Sequence, residues 1–202
     1  MVRTAPLQFW PERSGRRRQT RRLEVLRSPA RRRYDLVEMV DEDLKANIDR
    51  DDLPVTADSI FVLKGLGPKG YPRMPEVGNM PIPAKLVREG VRDMIRISDG
   101  RMSGTAYGTV IFHVSPESQA GGTLGLVQTG DRIRVSASHG QLDLLVKDAE
   151  LEQRRANWTP DPAPYTRGDA KLYIDTVLHA EQGADLDFLV GKDTRLDTRE
   201  SH

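Results

Sequence analysis

Between Tyr34 and Ile48 the apolar residues Leu36, Val37, Val40, Leu44 and Ile48 fall at i, i+1, i+4, i+8 and i+12. That spacing lies along one helix face, so an amphipathic helix is predicted there, ended by the polar stretch Asp49–Pro54. The unbroken apolar run Ile60-Phe-Val-Leu63 predicts a buried strand, Met94-Ile-Arg-Ile97 a second and Thr109–Val114 a third. The hairpin that follows is the clearest local signal. Ile133, Val135 and Ala137 alternate with polar positions, His139-Gly140 makes the turn, and Leu142, Leu144 and Val146 alternate on the return. Short helices are predicted at Ala84–Glu89, closed by Gly90, at Asp148–Arg155, and at Lys171–Leu178 with Leu172, Val177 and Leu178 inward. Trp158–Pro164 is a Pro-rich crossing between the last two. The sum is an α+β domain of short strands, from about Ile60 to Gly191.

Two segments break this pattern, and they are where chemistry is to be sought. From Gly65 to Pro83 the chain holds Gly65, Gly67, Pro68, Gly70, Pro72, Pro75, Gly78, Pro81 and Pro83. Such density excludes helix and central strand, and the embedded Met74, Val77 and Met80 argue for an ordered loop rather than a linker. Glu76 sits in it between Pro75 and Gly78. A carboxylate there can ligate a hard cation, or simply be a solvated loop acid. The second segment is Ser98-Asp-Gly-Arg-Met-Ser-Gly-Thr-Ala-Tyr-Gly108. Its glycines permit close backbone approach to a ligand, and Ser103 and Thr105 offer donors and a nucleophile or base; an ordinary tight turn is the plainer reading. Lys69 can attract an acid or be solvated, His113 reads as half-buried on its strand, and Trp158 as a cap on the core.

Charge changes the picture at one end only. Lys+Arg 31 against Asp+Glu 30 leave a net +1. Residues 1–33, however, hold eleven arginines and two acids, a net +9, so the remainder carries −8. A disordered leader, a phosphate-binding arginine arm and an organelle transit segment all fit that composition. The arm lacks interleaved aromatics, because Phe9 and Trp10 are adjacent. No apolar run approaches a membrane span, and no apolar signal core precedes residue 34, so a cytoplasmic location is expected. Zero cysteine excludes a disulfide framework, a thiolate zinc site, a Cys nucleophile and a self-contained iron–sulfur cluster.

Taken in order, Gly67-Pro-Lys-Gly-Tyr-Pro-Arg-Met-Pro-Glu-Val-Gly-Asn79, the Ser98–Gly108 segment, His113-Val-Ser-Pro-Glu117, Gly121-Gly122 and Gly130-Asp131 resemble the C-terminal region of the dihydroxy-acid and sugar-acid dehydratase family. The likeness runs on through the hairpin to Asp187-Phe-Leu-Val-Gly191 and covers about Arg50 to Gly191. The Arg-Met-Ser-Gly-Thr-Ala-Tyr-Gly version of the second loop is nearest in look to the arabinonate and xylonate dehydratases. The chain departs from the pattern at Arg73, where glycine is usual, and at Gly100, where alanine is frequent.

The resemblance implies a β-barrel-like swivelling β/β/α domain with flanking helices. It also implies a hydro-lyase that converts 2,3-dihydroxy acids, such as pentonates or branched-chain dihydroxy acids, to 2-keto acids. In that family an iron–sulfur cluster acts as Lewis acid on the departing 3-hydroxyl and Mg²⁺ holds the carboxylate and 2-hydroxyl. By match Ser103 is the base that takes the C2 proton, Thr105 orients substrate or serine, and Glu76 is one Mg²⁺ ligand. The cluster cysteines and the other Mg²⁺ ligands belong to a larger N-terminal domain. Hence the expected partner is an N-terminal dehydratase half or homologous subunit, with homo-oligomers in a complete enzyme and neither membrane nor nucleic acid involved. The alternative is a catalytically inactive truncated remnant or partner-binding fragment. The expected division is a leader at 1–33, a helical linker at 34–59, the barrel domain at 60–191 and a polar tail at 192–202.

Overall fold

The computed structural model describes residues 5–6, 33–39, 47–71, 80–101, 108–136, 139–162 and 165–190. Seven strands form one mixed sheet: β1 (Ala5–Pro6), β2 (Arg33–Met39), β3 (Ser59–Leu63), β4 (Arg96–Ser98), β5 (Val110–Ile111), β6 (Arg132–Ser136) and β7 (Gln141–Leu144). Their order is β1-β7-β6-β2-β3-β4-β5. β2, β3, β4 and β5 run parallel, while β2–β6, β6–β7 and β7–β1 are antiparallel. Three helices follow the predicted positions: α1 (Ala84–Arg88), α2 (Asp148–Asn157) and α3 (Gly168–Thr176). The α+β class is therefore as expected. The closure a barrel needs, a pairing of β1 with β5, is not seen among the described residues.

The run Ile60-Phe-Val-Leu63 is buried on both faces because β3 lies between two covered surfaces. Ile60 and Val62 join Ile97, Val114, Leu124, Leu126, Val127, Ile133, Leu142, Leu144, Val146 and Leu151 on one side. The alternate residues, Phe61 and Leu63, meet Ile48, Val55, Leu66, Met80, Leu86 and Met94 on the other. The period-2 alternation of a strand is what divides the core in this way. The hairpin forms with Ile133 opposite Leu144 and Val135 opposite Leu142, two residues away from the pairing that a two-residue His139-Gly140 turn implies; the even shift keeps the same side chains on the core face. Gly90, just beyond α1, has φ 90, the left-handed geometry that ends the helix.

Three expectations are corrected. The first part of the helix expected over 36–48 is not formed: residues 33–39 are the central strand β2, paired to both β3 and β6; residues 40–46 lie outside the described residues, and Asn47 is helical. The adjacent pair Leu36-Val37 suits a strand covered on two faces as well as it suits a helix, and two flanking ladders supply hydrogen bonds that the local pattern does not reveal. Ile48 does join the core. Secondly, Leu172 on α3 is 54% exposed rather than inward, whereas Val177, just past the helix end, is buried. Thirdly, two residues of the arginine-rich leader, Ala5 and Pro6, form an edge strand against Leu144 and Asp143. Proline is tolerated there because an outer edge needs no further donor. The arginine cluster from Arg13 to Arg32 and residues 192–202 lie outside the described residues.

β6 runs antiparallel to β2, so the His139-Gly140 turn lies beyond the end of the sheet opposite to that from which the chain leaves β3 and β4. Replacing the fully buried ring, Phe61→Ala, is expected to lower unfolding free energy by about 3–5 kcal/mol through lost transfer energy and a residual cavity. Leu172→Ala is expected to cost no more than about 0.5 kcal/mol. Urea unfolding of the two variants checks both values.

Candidate active site

β3 and β4 are adjacent and parallel, and their last residues, Leu63 and Ser98, are register partners. The two unusual loops of the sequence therefore start side by side, at the carboxyl ends of neighbouring parallel strands. In open parallel sheets that edge is where ligands are bound, because loops gather there and backbone groups are left without ladder partners.

The stem of the first loop, Gly65–Gly70, is held by two buried carboxylates. Asp99, at the start of the second loop, is wholly buried and accepts from the backbone N–H of Gly65 (3.3 Å) and Leu66 (3.0 Å). It also accepts from the Ser118 amide at 2.9 Å and from the Ser118 hydroxyl, which in turn accepts from Gly65 N–H at 2.7 Å. Glu117, 1% exposed, accepts from the N–H groups of Lys69 (2.9 Å) and Gly70 (3.0 Å) through Oε2. The fit is close: a Cβ at Gly67 would lie 2.4 Å from Glu117 Oε2. Gly100 is fitted in the same way, since a Cβ there would lie 2.7 Å from Cβ of Leu66. The amide of Lys69, rather than its ammonium group, is what this arrangement uses.

At its far end the first loop returns at Met80, which is buried and whose carbonyl accepts from Nη1 of Arg96 on β4. Arg96 is itself buried and lies 3.8 Å from Asp93; burial pushes its guanidinium down and Asp93 opposes that. The second loop returns at Thr109, whose N–H and hydroxyl both donate to Asp93, at 2.8 and 2.6 Å. His113 follows β5, half-buried, with φ 54 and its N–H on the Gly100 carbonyl at 3.1 Å. Trp158 packs against the core beside Gly121 and Gly125, as its expected capping role requires.

Burial pushes the Glu117 carboxyl up from its ordinary range, and nearby Asp99 adds to this; the Lys69 and Gly70 amides and His179 pull the other way. His179 Nδ1 stands 3.7 Å from Oε1 of Glu117. Tyr173 of α3 is also raised, first by burial and then by Glu117. The cluster is thus a desolvated acidic centre facing a histidine and a phenol.

Glu76, Ser103 and Thr105 lie outside the described residues; the stems that carry them are described on both sides. Asp99, Glu117 and Arg96 were missed as site residues by sequence reasoning. The only signal for the two acids is position, Asp99 directly after β4 and Glu117 directly after Pro116, and neither position reveals burial. Among the described residues, no three His, Cys, Asp or Glu side chains are disposed to hold a metal ion. With no thiolate in the chain, the residues present do not fit an iron–sulfur cluster. For Mg²⁺ the donor chemistry of Glu76 is suitable, but one carboxylate is not a site.

The described residues thus form an α+β domain, a mixed sheet with the stems of two loops anchored at one carboxyl edge. Residues 27–184 match the family model described as dihydroxy-acid/6-phosphogluconate dehydratase C-terminal, and the chain belongs to that family. It is 65% identical over 161 residues to a protein of Rhizobium meliloti (strain 1021) named as dehydratase IlvD1, covering 80% of this chain and 28% of that protein. It is 53% identical over 153 residues to the L-arabonate dehydratase of Azospirillum brasilense, covering 73% of this chain and 26% of that enzyme. With the L-arabinonate dehydratase of Rhizobium leguminosarum bv. trifolii (strain WSM2304) it shares 49% over 150 residues, 74% of this chain and 26% of that enzyme. The chain spans about a quarter of the length of these relatives.

The raised Glu117 carboxyl carries a linkage prediction. A carboxyl raised in the folded state favours folding while protonated, so that stability is full below the unfolded value near 4.5 and is lost as pH rises through the folded value. The stability of the parent chain relative to Glu117→Gln is expected to fall as pH increases above about 4.5. Thermal melts of both proteins across the acidic to neutral range check this; a difference that rises with pH contradicts it.

Proposed function

We propose that this chain is the proton-abstracting C-terminal part of a hydro-lyase that dehydrates 2,3-dihydroxy acids to 2-keto acids. The observation that carries the reading is the register pairing of Leu63 with Ser98, which starts the Glu76 loop and the Ser103 loop side by side at one sheet edge. Sugar acids of the pentonate type are the favoured substrates, because relatives named for L-arabonate and L-arabinonate are identical to this chain at about half of the aligned positions.

In this reading Ser103 Oγ, as alkoxide, takes the proton from C2 of the substrate. The C2–H electron pair forms the C2=C3 bond, and the C3–O bond breaks with its electrons on oxygen. The departing hydroxide becomes water with the proton that Ser103 gives up as its alkoxide is restored, and the enol tautomerises to the ketone. Thr105 orients the serine or the substrate. Glu76 is one ligand of the Mg²⁺ that, when bound, holds the substrate carboxylate and lowers the charge cost of the serine alkoxide. The iron–sulfur chemistry of the family does not come from this chain, which has no cysteine. An N-terminal dehydratase portion or homologous subunit supplies it, and the proposed swivelling β/β/α barrel packs against that portion. The lack of cysteine equally supports a second reading, a fragment that folds and binds a partner without doing chemistry.

Purified alone, the chain is expected to show no dehydration of pentonates or 2,3-dihydroxy-isovalerate, even with iron, sulfide and Mg²⁺ supplied. Mixed with the N-terminal portion of a close relative, it is expected to regain turnover. Ser103→Ala should abolish that turnover, and Glu76→Gln should weaken its Mg²⁺ dependence. A keto-acid assay reads all four. Turnover by the lone chain, or complementation indifferent to Ser103→Ala, contradicts the assignment; failure to complement favours the binding fragment.

A further inference from the structure

The two buried acids have an arrangement that stability alone does not call for. Both accept from main-chain amides of the same short stem: Asp99 from Gly65 and Leu66, Glu117 from Lys69 and Gly70. Asp99 itself opens the second loop, and Glu117 follows β5, so three chain segments meet at one stem. Two carboxylates placed near each other in a desolvated setting are a costly way to fill a core, and apolar groups of similar volume are often as good or better. What the carboxylates provide instead is direction, because each oxygen fixes where particular N–H groups point. The glycines complete the fit. Gly67 leaves room for Oε2 of Glu117, and Gly100 lets the second stem lie against Leu66.

We infer that Asp99 and Glu117 are positioning residues that lock the stem of the loop carrying Glu76 to the stem of the loop carrying Ser103. The roles of Glu76 and Ser103 rest on the dehydratase reading; the lock itself does not. Asp99 aligns the first two residues of the stem with its own loop, and Glu117 sets the last two, Lys69 and Gly70, so the spacing of the two loops is fixed before a substrate arrives. Preorganisation of this kind matters because a reacting pair displaced by even an ångström loses much of its rate advantage. His179 Nδ1 lies 3.7 Å from Oε1 of Glu117, and Glu117 acts electrostatically on Tyr173 of α3.

The test is amide hydrogen exchange, with amide chemical shifts, on the full chain and three variants. In Glu117→Gln, exchange at Lys69 and Gly70 is expected to quicken by about tenfold or more, the scale of one lost charge-assisted bond. In Asp99→Asn the same is expected at Gly65 and Leu66. Gly67→Ala leaves both acids in place but drives a methyl group at Glu117, and it should mimic the Glu117 variant. In each case the amide signals of Glu76 and Ser103 should shift while the β3 amides of Ile60–Leu63 keep their protection. Equal loss of protection across β3 would show that the acids serve stability only, and unchanged stem exchange would show that they hold nothing; either overturns the inference. If an acid variant fails to fold, Gly67→Ala decides by the same criteria. Absent turnover in the complemented parent protein would defeat the dehydratase reading and leave the exchange result standing.

Discussion

The structure depends on a single exchange of hydrogen bonds: two buried carboxylates take up the backbone amides of a Gly/Pro-rich stem that has no ladder or helix to join. Residues 65–70 leave β3 with unpaired N–H groups in a buried place, and each such group left unsatisfied costs about 1–3 kcal/mol. Asp99 and Glu117 answer four of them. The electrostatic cost of burying the acids is offset by those amides and by His179, and is not fully removed, since Glu117 remains raised. Without that exchange the stem would have to turn outward to water, and Leu66, Met80 and Phe61 would lose the layer that covers them.

The same layer links core to site. Phe61 and Leu63 lie under the stem, Met80 is where the first loop returns, and its carbonyl is held by Arg96 of the neighbouring strand. Strand, loop and charged side chain thus form one packed unit. The site proposed at this edge takes its rigidity from the sheet and its chemistry from loops, the usual division in parallel α/β edges. The chain covers about a quarter of the length of the relatives it matches, so the dehydratase activity proposed for it draws on residues beyond this domain.

Parts of this were legible in the sequence for physical reasons. The apolar run Ile60–Leu63 announced a buried strand, and the alternation around His139-Gly140 announced a hairpin and its core face, because periodicity reports burial directly; the pairing itself lies two residues from the one that turn implies. β2 was not legible: Leu36-Val37 satisfies helical and strand spacing alike, and only its two neighbours in the sheet decide. Leu172 misled because an apolar residue on a short helix need not face the core. Order in the Gly/Pro-rich loop was inferred from Met74, Val77 and Met80; of these Met80 is buried, and the other two lie outside the described residues. The acids that anchor the loop were invisible as such, since a buried carboxylate satisfied by distant amides leaves no local pattern. The candidates Glu76, Ser103 and Thr105 come from family likeness rather than from spacing, and they lie outside the described residues.

The central claim, that the loops carrying Glu76 and Ser103 start side by side at one edge and work there together, can be measured in solution. The chain has no cysteine, so Val77→Cys gives a unique attachment point for a nitroxide label. The account predicts that the label broadens the amide signals of residues 101–107 while leaving those of the His139-Gly140 turn, beyond the opposite end of the sheet, sharp. Intact signals at 101–107, with or without broadening at the turn, would contradict it.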